Sequence, residues 1–153
     1  MREILFRGKR IVNGEWVEGF LVKKADPLPG WTSSFILVQE FDRSCIDGRQ
    51  TILKPEMSWY KVAPETVGQF TGLTDKNGKK IFEGDILSTE NGTFSNTGMG
   101  HILLYKGMWT SFYGQDALGR DCFDELHTVC SEREVVGNIH DNPELIKRRA
   151  TNE

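Results

Sequence analysis

At 153 residues, with 38% hydrophobic and 27% charged side chains, the chain has the make-up of one ordinary globular domain or two small subdomains sharing a core. A net charge of −3 argues against generic nucleic-acid binding, which rests on a basic balance, and the apolar runs at 35–38 and 102–105 are far too short to span a bilayer. Cys45, Cys122 and Cys130 are too few and odd in number for a disulfide framework, and no apolar leader opens the chain; reduced thiols in a cytoplasmic protein are the expectation.

Ile4–Phe6 begins the first strand. Arg10–Val12, Asn13-Gly14 and Glu15–Leu21 then read as a hairpin on a two-residue turn, whose central positions both need positive φ. That register sets Ile11 against Trp16 and Lys9 against Glu18. Two prolines and a glycine make 26–30 a loop. Phe35–Glu40, apolar on both faces, predicts an interior strand, and Asp42–Gly48 a turn region. Gln50–Lys54 and Trp59–Val62 are two short strands parted by Pro55, and Pro64-Glu65 places a seam near 63–66 between two β halves.

The second half carries another Asn-Gly turn, at Asn77-Gly78. A two-residue loop pairs Asp75 with Lys80 and Leu73 with Phe82; a longer loop with a bulge at Gly78 is the alternative. At Glu83-Gly84-Asp85 the chain bends into Ile86-Leu87-Ser88, as in small barrels, where Gly permits the bend and Asp accepts backbone N–H groups across it. Asn91–Gly100 is a glycine- and asparagine-rich loop. His101–Tyr105, Lys106-Gly107 and Met108–Tyr113 form a third hairpin. Asp121–Val129 predicts a short helix with Phe123, Leu126 and Cys130 turned inward. Glu134–Ile139 is the last strand, and Asn142-Pro143-Glu144 opens a short helix before a flexible tail at 150–153. The fold class is mainly β: several short coiled antiparallel sheets, partly small-barrel-like, with a short C-terminal α-helix.

The chemistry legible in the residues is sparse. Cys122, His127 and Cys130 form a metal-like cluster, but they lack the paired spacing of zinc sites, and buried thiols account for them better. Asp121 with Asp124, or with Asp116, suits a solvated turn better than a hydrolytic pair. Glu83 and Asp85 lack the third acidic partner of a cation site. No phosphate loop, dinucleotide fingerprint or His-Glu-x-x-His is present, so no catalytic residue, metal or cofactor is assigned. Gly68, Gly72, Asn77, Gly78, Gly84 and Asp85 read as turn chemistry. The remaining clue is aromatic display: Trp31 beside the Pro/Gly loop and Phe94 in the polar loop, with Lys23 and Lys24 as neighbouring cations.

Three blocks resemble one family. The opening Met1–Lys9, the central Thr66–Leu87, which matches nearly throughout, and the closing Val135–Leu145 are similar to the YopX family. His140 and Asp141 are mild departures. The resemblance spans almost the whole chain and implies a single module over 1–149, mainly β, encoded by a phage or prophage. It supplies no reaction, catalytic residue or ligand. The leading expectation is therefore a non-catalytic accessory protein that binds another protein or itself as a homo-oligomer. The second is a small β module binding single-stranded nucleic acid, and an enzyme comes third; no membrane is involved.

Overall fold

The computed structural model describes residues 3–25, 32–45, 51–88, 99–116 and 118–147, and of 40–45, 51–56 and 147 the backbone only. The chain is mainly antiparallel β and divides into two compact units, Ile4–Gln69 and the described residues from Phe70 onward.

The first unit is a sheet of β1 (Phe6–Lys9), β2 (Trp16–Ala25), β3 (Thr32–Cys45) and β4 (Thr51–Val62), in the order β4-β3-β2-β1. Beyond β1, Gly68 and Gln69 open β5 (Gly68–Thr74) opposite Arg7 and Phe6. The β1–β2 register differs from the expected one: Lys9 stands opposite Trp16 and Arg7 opposite Glu18. Arg10 and Glu15 close the loop instead, through a backbone bond of 2.8 Å and an ion pair of 3.0 Å. The competing partner is β4, because the Ile11 N–H donates to the Lys61 carbonyl and Arg10 bridges Val62. A distant strand thus overrides the local turn preference, and Ile11 is left exposed rather than set against Trp16.

Two further expectations on this sheet are corrected. Asp42–Cys45 is not a turn but the continuation of β3, and the segments on either side of Pro55 are one strand, with Pro55 in register opposite Phe41. Proline lacks an N–H to donate, and β4 is the edge strand, where that loss is tolerated. Pairing with β2 ends at Leu37, so from Val38 and Ser58 outward β3 and β4 pair only with each other, as a two-stranded ribbon reaching Cys45 and Thr51. On one face of the sheet Ile36 and Val62 are fully buried, each worth about 1.5–3 kcal/mol of burial.

The second unit holds a five-stranded open sheet in the order β10-β9-β8-β7-β11, with no closed barrel: β7 (Asp85–Ser88), β8 (Met99–Tyr105), β9 (Met108–Gln115), β10 (Asp121–Glu125) and β11 (Val135–Asn138). Ile81, Leu87, Ile102, Leu126 and Cys130 form its core, with Leu73, Trp109 and Val135 packed against them. The β8–β9 hairpin follows the expected register, Tyr105 opposite Met108, and both turn residues have positive φ, 49° at Lys106 and 82° at Gly107. The Asn77-Gly78 turn takes the longer form, in which Asp75 and Lys79 close the loop and Thr74, not Asp75, pairs with Lys80 of β6 (Lys80–Phe82). Asp121–Val129 is not one helix: its first five residues pair with β9 as β10, and only Leu126–Val129 make a helical turn, α1. Leu126 and Cys130 do turn inward, as the spacing predicts. Glu144–Lys147 form the final helix, α2; the Asn142 carboxamide oxygen accepts from the Asn138 N–H at 3.4 Å. Among the described residues no helix is long and apolar enough to cross a membrane.

Candidate functional site

In an antiparallel sheet, residues directly opposite share a face and alternate residues change face. The register of the first unit therefore assembles one row from Phe20, Leu37 and Trp59, and the next from Val22, Phe35 and Lys61. Gln39 and Met57 continue this face on one side, Lys24 and Ser33 on the other, and across β1 it carries Arg7 beside Glu18 and Lys9 beside Trp16. The reverse face buries Ile36 and Val62. The face just assembled stays open: Phe20 is 52% exposed, Met57 51% and Trp59 57%.

Large apolar side chains half exposed singly are ordinary; three on one face, beside half-buried Val22, Phe35 and Leu37, are a patch of the kind that marks an interaction site. Phe35 meets Trp59 edge to face with ring centroids 6.3 Å apart. With Val22, Lys23 and Lys24 they line an open groove of about 530 Å³. The cations sit against aromatic surface, the Arg7 guanidinium 4.7 Å and the Lys9 ammonium 5.7 Å from the Trp16 ring. Lys24 and Lys61 are exposed, and Glu18 is the single carboxylate on this face among residues whose side chains are described.

Of the binding residues expected from sequence, Lys23 and Lys24 border this groove, although the register sets Lys23 on the opposite face, across from Ser34. Trp31 and Phe94 lie outside the described residues. Phe20, Phe35, Met57 and Trp59 carry no local sequence signal that marks them as binding residues. The alternation from Trp16 to Lys24 shows that two faces exist, yet both contain apolar residues, so only the pairing with β3 and β4 decides which one is open.

The turn residues lie elsewhere. Gly78 has φ 80° beside Asn77, and Asp75 accepts the N–H groups of Asn77 and Lys79 at 2.9 Å and of Val135 at 3.0 Å. Burial pushes the Asp75 carboxyl up, but the Val135, Lys79 and Asn77 amides outweigh it and hold the pKa below its ordinary value. Gly84 has φ 82°, and the Asp85 carboxylate accepts the Phe82 N–H at 2.8 Å across the bend. Gly68 is buried at the start of β5, while Gly72 is exposed with φ 84°.

The residues weighed for chemistry do not converge. Asp116 accepts the Leu118 and Arg120 amides and pairs with the Arg120 side chain at 2.8 Å. Asp121 accepts from Tyr105 at 2.6 Å and Gln115 at 3.1 Å, and those two bonds hold its pKa low. Asp124 accepts from Tyr113 at 2.6 Å and pairs with Arg133, which also donates to the Tyr113 hydroxyl. Each carboxylate thus has its own neutral or cationic donor, unlike a pair that must share a proton. Cys130 is buried and His127 exposed, and among the described residues no group of three His, Cys, Asp or Glu side chains is placed to hold a metal ion. A small cleft of about 180 Å³ beside Tyr113, Asp121, Cys122, Phe123 and Asp124 is lined by these already engaged carboxylates.

Comparison with known proteins gives a family and no activity. A family model described as YopX protein matches residues 32–147. Protein EF1440 from Enterococcus faecalis, known from a crystal structure, is similar at 23% identity and a TM-score of 0.46, over 96% of this chain and 100% of that one. No curated protein matches.

Proposed function

The chain belongs to the YopX family, and we propose that this member acts by binding and not by catalysis, through the open face of its N-terminal sheet. The observation that carries this reading is the coincidence of Phe20, Met57 and Trp59, all more than half exposed, on the face opposite buried Ile36 and Val62. Leaving that much apolar surface in water forgoes burial worth roughly 25 cal/mol per Å², and a partner that covers it recovers the difference. The carboxylates considered for hydrolysis are engaged in local structure, which supports a non-catalytic role. The protein so described is an accessory factor of a phage or prophage, working in the host cytoplasm on a component that covers this face. A protein partner or a second copy was the first expectation. One carboxylate among four cations, counted over the described side chains of this face, favours an occupant that carries negative charge.

The test is retention of host-cell components by the wild-type chain and by a Phe20→Ser/Trp59→Ser variant, with nuclease-treated and untreated extracts. Both positions are exposed, so the variant should keep the wild-type thermal midpoint. Expected is a component held by the wild type and by a Leu118→Ser control but lost from the face variant. Equal retention by all three chains contradicts the reading.

A further inference from the structure

Resting on the proposed working face, we infer that its occupant is a single-stranded nucleic acid, with bases stacked on Trp59, Phe35 and Phe20 and phosphates held by Arg7, Lys9, Lys24 and Lys61. Three observations support this occupant. First, Phe20 and Trp59 flank Leu37 in one row of one open sheet and Phe35 stands diagonal to both in the next, with Phe35 and Trp59 already 6.3 Å apart. Rows of one face are separated by two residues, about 6.8 Å along the strand. Unpaired bases present a flat π-face to such a platform, and every base does so. Second, cations border the aromatics on both sides: Arg7 and Lys9 on β1, Lys24 on the groove and Lys61 opposite Phe35 on β4. A nucleotide repeats one apolar ring and one negative charge, and the face repeats their complements. An acidic protein segment matches the charges but offers no succession of flat rings. Third, the groove of about 530 Å³ lined by Val22, Lys23, Lys24, Phe35 and Trp59 is open to solvent, so it admits a chain passing through it and does not demand an enclosed small molecule.

A duplex is a poorer fit, because its bases are stacked on each other and their faces are hidden. The chain's net charge of −3 does not oppose the inference: Ile4–Gln69 holds nine Lys and Arg against eight Asp and Glu, so the negative excess lies outside this unit.

The experiment is fluorescence anisotropy of labelled oligothymidylate and oligouridylate of about 15 nucleotides, within the range of roughly 4–16 that one small β module covers. The full chain is used, with a duplex of equal length as comparison. Binding of the single strands is expected at about 50 mM salt, falling about 50-fold by about 200 mM if all four cations meet phosphates, at roughly 0.7 log units per contact per log unit of salt. Lys24→Gln with Lys61→Gln should halve that salt slope. Trp59→Ala should weaken binding about 5- to 100-fold at every salt concentration without changing the slope. Near-wild-type thermal midpoints for the variants exclude unfolding as the cause. No binding at low salt, equal binding of the duplex, or an unchanged affinity of Trp59→Ala each overturns the inference. If the oligonucleotides fail while the Phe20→Ser/Trp59→Ser variant still loses a host protein, the occupant is a protein and only the inference falls. If both fail, the working face falls with it.

Discussion

Three residues show how much of this fold rests on single polar or backbone choices. Gly84 adopts φ 82°, its N–H donates to Ile102 and its carbonyl accepts from Ile139, and a Cβ placed there would meet the Ile139 side chain at 3.4 Å. Gly84→Ala combines a left-handed backbone with that contact and should cost about 1–2 kcal/mol, read as a lowered urea midpoint with unchanged m-value. Asp75 is buried and accepts three backbone amides, so Asp75→Asn, whose NH2 cannot accept, should cost about 1–3 kcal/mol. Because the folded pKa of Asp75 lies below the ordinary 3.8, its contribution is complete above that value and is lost as pH falls through the lowered one. His101 acts higher on the pH scale. Burial holds its imidazole below the ordinary 6.5, and its Nδ1 is buried without a hydrogen-bond partner beside the Phe112 ring. Stability tied to neutral His101 is thus full above 6.5 and declines as pH falls toward the lowered value. Urea midpoints measured from about pH 7.5 down to pH 5 should fall for the wild type and stay flatter for His101→Phe.

At the scale of elements, turns were legible where both partners lie close in sequence. Lys106-Gly107 closes its hairpin in the expected register, and the Gly84-Asp85 step bends as its residue types require. What long-range pairing decides was not legible. Ile11 leaves its local hairpin for Lys61, β4 runs through Pro55 because it is an edge strand, and Asp121–Glu125 has helical spacing but pairs with β9. The aromatic face belongs to the same class, since Phe20 and Trp59 meet it only through Leu37, which pairs with both. The β9–β10 pairing has its own clasp: Tyr113, Asp124 and Arg133 form a half-buried triangle of donors and acceptor. Arg133→Met removes the cation from a partly screened carboxylate, so the loss should be about 1–3 kcal/mol and not the larger value of a fully buried pair. Amide exchange in Asp121–Glu125 should speed up in that variant while β3 and β4 keep their wild-type protection.

At the scale of the molecule, charge and apolar exposure are not spread evenly. The residues from Ile4 to Gln69 are close to neutral overall, and among the side chains described there the open sheet face gathers four cations, one carboxylate and the exposed rings of Phe20 and Trp59. Whole-chain composition, at a net −3, concealed this, because an average over 153 residues says nothing about which side chains share a face. The family match covers residues 32–147 and the Gly84-Asp85 bend lies in the second unit; the surface proposed to do the work lies in the first unit. The central claim is that Phe20, Met57 and Trp59 form a surface covered by a partner in the cell. Hydroxyl-radical footprinting tests it most directly, comparing side-chain oxidation of the chain in buffer and in extract of the host cell. Strong protection of Met57 and Trp59 in extract, with Leu104 and Met108 of the second unit labelled equally in both, is the predicted result. Equal labelling of Met57 and Trp59 in buffer and extract would contradict it.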